Sequence, residues 1–339
     1  MSNLENRRRK KRKKKKKSVF KSLILFLIYE LIVFIIAGPI LVFYGPFKNV
    51  KSQIVGTAMA TLSHQYIATI FLSDDEITKI LNQGKSGETT SAEKENPDNV
   101  NISHVGDNDI KRYDITNNRK FDGYILEIND PKRIKVGYTS KLKEVGERTS
   151  EIAERNGAVA AINGGGFSDK TTSGKMWVGT GAYPEGIIIS GGKLIYSDVD
   201  YSDKINVTAF TSDGRLIVGD HTLQELLDEN VQEAISFRNS LIINGKTVAV
   251  ENEGLNPRTA IGQKADGTIV MLVVDGRKGF KTGASLKEIQ NILLQQGVVN
   301  AGNLDGGSST TMYFNGEVIN DPCDWNGERT VATVLYVKP

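Results

Sequence analysis

From about residue 105 onward, apolar residues fall in short runs bounded by glycine, asparagine, aspartate or serine. The runs are 124–128 (YILEI), 134–138 (IKVGY), 159–162 (VAAI), 186–190 (GIIIS), 193–197 (KLIYS), 205–210 (INVTAF), 216–219 (LIVG), 240–244 (SLIIN), 268–274 (TIVMLVV), 311–314 (TMYF) and 333–337 (TVLYV). Their length and β-branched content predict strands. Ser190-Gly191-Gly192-Lys193 and Ser212-Asp213-Gly214-Arg215 supply hairpin turns between neighbouring runs. Helical spacing is confined to 141–156, closed by Gly157, to 222–234, and to 285–296, closed by Gly297. In the last of these Leu286, Ile289, Leu293 and Leu294 share a face. Many strands with a few helices at irregular intervals predict the α+β class, with a mixed, mainly antiparallel sheet and several packed helices. No tandem repeat is present.

The first hundred residues follow another pattern. Residues 22–44 are almost wholly apolar, enough for a helix to cross a bilayer that needs ~20 such residues. Residues 7–17 are all basic, and a cationic block before an apolar span predicts a cytoplasmic N-terminus with everything after the span exported. The expected organisation is a basic cytoplasmic tail (1–17), a single N-terminal transmembrane helix (18–47), a helical stalk (48–82), a flexible polar linker (83–104) and one globular domain (105–339). The stalk carries Ser73 and Glu76 at capping-box spacing ahead of Ile77, Ile80 and Leu81. Ala58-Met59-Ala60 has the small-x-small pattern of a cleavage site but lies far beyond the apolar span, so an uncleaved anchor in the cell membrane is expected.

Charge sharpens this division. The first 17 residues hold 11 of the 43 Lys and Arg and 1 of the 40 Asp and Glu, leaving 32 basic against 39 acidic residues beyond them. An acidic exported portion is a poor match to nucleic acid. The single cysteine, Cys323, excludes an intramolecular disulfide, and His64, His104 and His221 show no ligand spacing, so no metal site or cofactor is expected.

Candidate chemistry concentrates at strand ends. Residues 303–310 (NLDGGSST) set Asp305 among Gly306, Gly307, Ser308, Ser309 and Thr310 directly after a β-branched stretch. Glycines admit close backbone approach, while hydroxyls and an acid make directional contacts to ligand oxygens, so a floor for a sugar or phosphate is one reading and an ordinary turn the other. Segments 159–167 (VAAINGGGF), 256–262 (NPRTAIG), 273–277 (VVDGR) and 326–330 (NGERT) share this character. Polar clusters at several strand ends suit one shared cleft.

Taken in order, these motifs resemble the phosphodiester glycosidase family, whose pattern runs A-x-N-G-G-F-F, P-R-T-A-I-G, D-G-R, N-L-D-G-G-G-S-S-T-M and a final E-R. The resemblance covers about 161–334. Here the first motif has Gly166 where an aromatic is common, and the fourth has one glycine fewer before its serines. The resemblance implies hydrolysis of a sugar-1-phosphodiester, such as a GlcNAc-1-phosphodiester, at the glycosidic C1–O bond, within cell-envelope or exopolysaccharide glycans. Asp305 is then the nucleophile or general base, and Asp275 either a second acid/base or the group that orients an arginine. Substrate contacts fall to Asn163, Gly164, Gly165, Arg258, Thr259, Arg277, Asn303, Gly306, Gly307, Ser308, Ser309 and Arg329. Arg258 is the first choice for phosphate, since its planar fork matches two phosphate oxygens. Arg277 and Arg329 are alternatives that structural pairing with Asp275 or Glu328 would remove, and Glu185 is a reserve carboxylate. Two other classes remain open: a non-catalytic polysaccharide-binding module with Phe167, Trp177, Tyr183 and Trp325 as platforms, and a metal-dependent phosphodiesterase using Asp275 and Asp305 as oxygen ligands.

Overall fold

The computed structural model describes residues 2–59, 65–83, 94–116, 118–169, 179–250, 253–324 and 326–339. Trp177, Trp325 and His64 lie outside the described residues.

Three sheets surround one core. The largest runs in the order Ile110–Ile115, Gly123–Ile128, Ile269–Val274, Arg258–Lys264, Val298–Leu304, Ser240–Ile243, Lys246–Thr247. A second joins Leu216–Thr222, Lys204–Thr211, Val231–Ser236, Ile187–Ser190 and Lys193–Ser197. The third joins Glu317–Val318, Met312–Phe314, Ala160–Asn163, Thr333–Val337 and Ile134–Tyr138. Every pairing within them is antiparallel, so the fold is α+β with antiparallel sheets.

Strand periodicity explains how one core serves three sheets. Along Ile269–Val274, Ile269, Met271 and Val273 enter the shared core with Phe210, Ile235, Ile162 and Leu335 of the other sheets. Val270, Leu272 and Val274 point the opposite way, under Leu286, Ile289 and Leu293 of the helix Leu286–Gln295. A strand buried on both faces is apolar throughout, which is why this run shows no alternation. Leu223–Asp228 covers the outer face of the second sheet and Thr149–Arg155 that of the third.

Each of the eleven apolar runs lies on a strand. The helix 285–296 is present as Leu286–Gln295, capped by Ser285, whose Oγ accepts from Glu288 N while Glu288 Oε2 accepts from Ser285 N. The other two helices are shorter than their sequence periodicity predicts. In 141–156 only Thr149–Arg155 is helical: Lys143 has φ 67° and Glu147–Arg148 pairs with Thr330–Val331. In 222–234 the helix stops at Asp228, Asn230 turns the chain at φ 54°, and Val231–Ser236 enters the second sheet. Tertiary pairing overrides a helical pattern where β-branched residues follow a left-handed turn.

The N-terminal helix spans Ser2–Tyr44, and its segment Phe20–Tyr44 is long and apolar enough to cross a membrane. In 48–82, Lys48–Met59, Tyr66–Thr69 and Asp74–Gln83 form helices whose Val55, Met59, Ala68 and Ile77 cluster with Phe43 and with Leu72 of the connecting turn. The Ser73–Glu76 box is closed in both directions. Of the stretch read as a linker, 84–93 lies outside the described residues. Residues 94–104 run along the domain: Asn101 N donates to Ala265 O, Ser103 N to Asp266 O, and Lys94 pairs with Glu225.

Candidate active site

Ladder register brings the polar strand ends to one place. Arg258 lies opposite Val274 and Thr259 opposite Leu304, so Arg258, Asp275 and Asp305 leave the large sheet at a common end. In the third sheet Asn163 faces Val334. Asn163 joins the two ends. Its Oδ1 accepts from Thr259 Oγ1 (2.7 Å) and Thr311 N (3.1 Å), and its Nδ2 donates to Asp305 O (2.6 Å). This side chain and Thr259 are fully buried and spent within the protein, so they hold the Asp305 loop from behind.

The glycines fit this junction tightly. Asp305 N donates to Gly164 O, Gly164 N to Thr333 O, Gly165 N to Thr333 Oγ1, and Gly307 N, at a residue with φ 63°, to Pro257 O. A Cβ on Gly306 would sit 2.7 Å from Pro257 O, and one on Gly164 would sit 2.6 Å from Thr333 Oγ1 and 2.9 Å from its backbone carbonyl. Gly164→Ala is therefore expected to cost about 1–3 kcal/mol and lower Tm by several degrees. An unchanged thermal midpoint would show that these strand ends are not held so closely.

Asp305 keeps only a partial opening to solvent. Burial raises its carboxyl pKa to about 6, against the opposing pull of Ser309 and of the Arg329 and Arg238 charges, with Asp169 adding to the rise. Ser309 Oγ faces the carboxylate without closing a full hydrogen bond. A carboxylate that takes up a proton near neutrality is suited to proton transfer and nucleophilic chemistry.

The arginines divide by their partners. Arg258 is buried, and its fork is closed by Glu253 (2.8 Å), Gly254 O (3.2 Å) and Ala284 O (3.3 Å). Arg329 pairs with Asp169 rather than Glu328, donates to Ser308 Oγ at 3.2 Å, and lies over the Phe167 ring. Glu328 instead accepts from Ser150. Arg277 stands apart. It occupies a left-handed conformation (φ 57°), its Nη2 donates to Asn256 Oδ1, its Nη1 is buried without a partner, and no carboxylate lies within 4 Å among the described residues. Burial lowers its pKa, an effect that Asp305 and the nearby Cys323 oppose and Arg258 reinforces.

Asp275 accepts from Asn320 Nδ2 (2.8 Å) and from Asp321 N (2.9 Å), and burial raises its pKa against those two bonds. Asn320 also donates to Thr310 O and accepts from Met312 N, so Asp275 anchors the far end of the Asp305 loop. Asn303 donates from Nδ2 to Arg238 O (3.3 Å), with its Oδ1 unpartnered. Glu185 joins the first motif through its N–H to Gly166 O, and its Oε2 lies 3.5 Å from where a Cβ on Gly166 would be. Of the ten buried side-chain polar atoms without a partner among the described residues, six belong to Arg277, Asn303, Ser309, Thr310, Thr311 and Arg329. Buried polar groups in proteins are nearly always satisfied, so such a concentration marks a place built to receive polar atoms.

Sequence reasoning missed Arg238, Asp169, Glu253 and Asn320. Arg238 is exposed and close enough to Asp305 and Glu253 for its charge to act on both. Its only signal was position just past a strand, which Asp169, after the first glycine motif, shared. Among the described residues no three His, Cys, Asp or Glu side chains converge as metal ligands.

The sequence profile of phosphodiester glycosidases matches residues 156–338. The chain belongs to the phosphodiester glycosidase family. It is 32% identical over 213 residues to bovine N-acetylglucosamine-1-phosphodiester alpha-N-acetylglucosaminidase, covering 55% of this chain and 38% of that protein. It is 28% identical over 219 residues to the SPbeta prophage-derived uncharacterized protein YomE of Bacillus subtilis strain 168, covering 61% of this chain and 31% of that protein. The chain thus spans about a third of the length of these curated relatives. The catalytic domain of zebrafish N-acetylglucosamine-1-phosphodiester alpha-N-acetylglucosaminidase, auto-inhibited by its pro-peptide, is similar in structure, with TM-score 0.57 and 25% identity over 70% of this chain and 87% of that one.

Proposed function

We propose that this protein hydrolyses the glycosidic C1–O bond of a sugar-1-phosphodiester of the GlcNAc-1-phosphodiester kind in cell-envelope or exopolysaccharide glycans. Its globular domain is held outside the cell membrane by the helix at 20–44, with the basic tail in the cytoplasm. The observation that carries this reading is the presence in one site of a carboxylate, of pKa about 6, and the half-buried guanidinium of Arg277, which feels its charge and has no carboxylate within 4 Å among the described residues. The activity named in the bovine relative points the same way.

The transition state of C1–O cleavage carries positive charge on the sugar ring while negative charge grows on the departing phosphate. Phosphate leaves readily, so stabilising its charge matters more than protonating it. Arg277 has an unused buried N–H for this purpose, and Arg238 lies at the rim of the same site. Arg258, already paired with Glu253, acts as a structural brace. Asp305 works ionised, either attacking C1 to form a glycosyl ester that water then opens, or taking a proton from the water that attacks C1. In both cases the sugar is released and the phosphate stays on the other product.

The test uses full-length protein in detergent, a GlcNAc-1-phosphodiester, and an assay for free sugar. Because Asp305 is active only when ionised and burial has raised its pKa, kcat/KM is expected to climb as pH rises through about 6 and to level off above it. Activity falling through that range would make Asp305 a proton donor and overturn its assigned role.

A further inference from the structure

The C-terminal end of the apolar helix is covered by the residues that follow it. Gly45 N donates to Leu41 O and Lys48 N to Pro46 O, so the chain turns directly after Tyr44 and the helix Lys48–Met59 begins. Phe43, in the last turn, is buried among Val55, Ala58, Ala68, Leu72 and Ile77. Phe71 stacks on Phe43, with ring centroids 4.7 Å apart and planes 12° from parallel, and Tyr44 Oη donates to Phe71 O. Residues 66–72 are thereby pinned to the last turn of the helix. A hydrocarbon layer about 30 Å thick takes up roughly 20 helical residues. Phe20–Tyr44 has 25. Its final turn therefore reaches the headgroup layer, and the residues stacked on Phe43 lie at that depth.

At that depth the small helical bundle leaves large apolar side chains uncovered. Ile70, beside Phe71, is 68% exposed, Phe47 52% and Val50 43%, although the bundle's own core is filled, with Val55 and Ile77 fully buried. The exposed acids Asp74, Asp75 and Glu76 open the next helix. Apolar side chains gathered on so short a stretch mark an interaction surface.

We propose that the stalk is a membrane-surface platform: residues 66–72 and the start of the helix Lys48–Met59 lie in the headgroup layer where the span emerges, with Ile70, Phe47 and Val50 inserted among the lipids. This rests on the anchor reading above and is independent of the hydrolase reading. The occupant is the lipid surface rather than a second copy of the chain, because the uncovered side chains adjoin the final turn of the span. The bilayer is already present there, so no association entropy is lost in meeting it. The exposed Lys48, next to Phe47, lays its stem along the same surface with its ammonium at the lipid phosphates. The stalk then does not lift the globular domain off the membrane. The reach of that domain is set by the chain from Gln83 to Lys94, whose extended length is at most about 40 Å.

The experiment places full-length protein in phosphatidylcholine vesicles whose acyl chains are brominated either near the carboxyl end or near the tip. It measures quenching of an introduced indole, with the emission of the parent's own Trp177 and Trp325 subtracted. Ile70→Trp and Phe47→Trp are expected to lose most of the added emission to the shallow bromines and little to the deep ones. Lys79→Trp, at an exposed position of the helix Asp74–Gln83, is expected to lose little to either. All three positions are exposed, so the packing around Phe43 stays intact. Quenching at Ile70→Trp and Phe47→Trp no stronger than at Lys79→Trp overturns the proposal. So does a blue shift of both without quenching, which would place them in a contact between copies of the chain. Ile32→Trp, in mid-span, separates the two readings. Its quenching by the deep bromines, with none at Ile70→Trp and Phe47→Trp, keeps the anchor and removes the platform, whereas an unquenched Ile32→Trp removes both.

Discussion

Asp305→Asn is expected to lower kcat by about three orders of magnitude or more, while the domain stays folded and, at pH 8, becomes more stable than its parent. The loss follows from the role of the ionised oxygen: an amide of the same shape neither forms a glycosyl ester nor accepts a proton from water. The gain follows from linkage. An acid whose folded pKa lies above its unfolded value favours the folded state only while protonated, and that contribution disappears as pH rises through the folded pKa. For Asp305 the window runs from its ordinary 3.8 to about 6. The amide carries no such dependence, so its advantage is absent near pH 3.5 and reaches up to about 3 kcal/mol above pH 7. Denaturant midpoints at the two pH values, together with turnover, check both halves. A variant that is inactive and also destabilised at every pH would place Asp305 among the structural acids that cap a turn.

Arg277→Ala is the second large effect. It is expected to lower kcat/KM on a sugar phosphodiester about 10²- to 10³-fold, the cost of removing a donor aimed at developing charge. Stability should change little, because burial disfavours the charge of this guanidinium and no carboxylate lies within 4 Å of it among the described residues. Arg258→Ala is expected to do the reverse to the fold: it strands Glu253 in a site where Asn239 and Arg238 are its other neighbours, costing about 3–5 kcal/mol. Paired kinetic and denaturation measurements separate the two arginines. Full activity in Arg277→Ala would return the phosphate to Arg238 or Arg329.

The fold was legible where one physical signal dominated. Runs such as 268–274 and 333–337 are too β-branched and too short for helices, and the turns at 190–193 and 212–215 close hairpins as expected. The pattern misled where local periodicity competed with sheet pairing. Residues 231–234 read as the end of a helix, yet the chain turns at Asn230 and they open the strand Val231–Ser236, which lies between two strands of the second sheet. The same division applies to the site. The glycine motifs and their order can be read directly, because close backbone approach demands glycine. Which arginine is free cannot, because it depends on Glu253 folding against Arg258 and Asp169 against Arg329, across 5 and 160 residues of chain. Asn163 reads as a substrate contact and Asp275 as an acid/base or arginine-orienting group for the same reason: their motif positions are visible in sequence, and the Thr259, Thr311, Asn320 and Asp321 groups that bond to them are not.

Hydrolysis of GlcNAc-1-phospho-6-GlcNAc by the full-length protein in ¹⁸O-labelled water tests the central claim most directly. Cleavage between C1 and oxygen, driven from Asp305, puts the label on the released sugar and leaves the phosphate unlabelled. Label in the phosphate would mean that the P–O bond breaks, and the account given for Asp305 and Arg277 would be wrong.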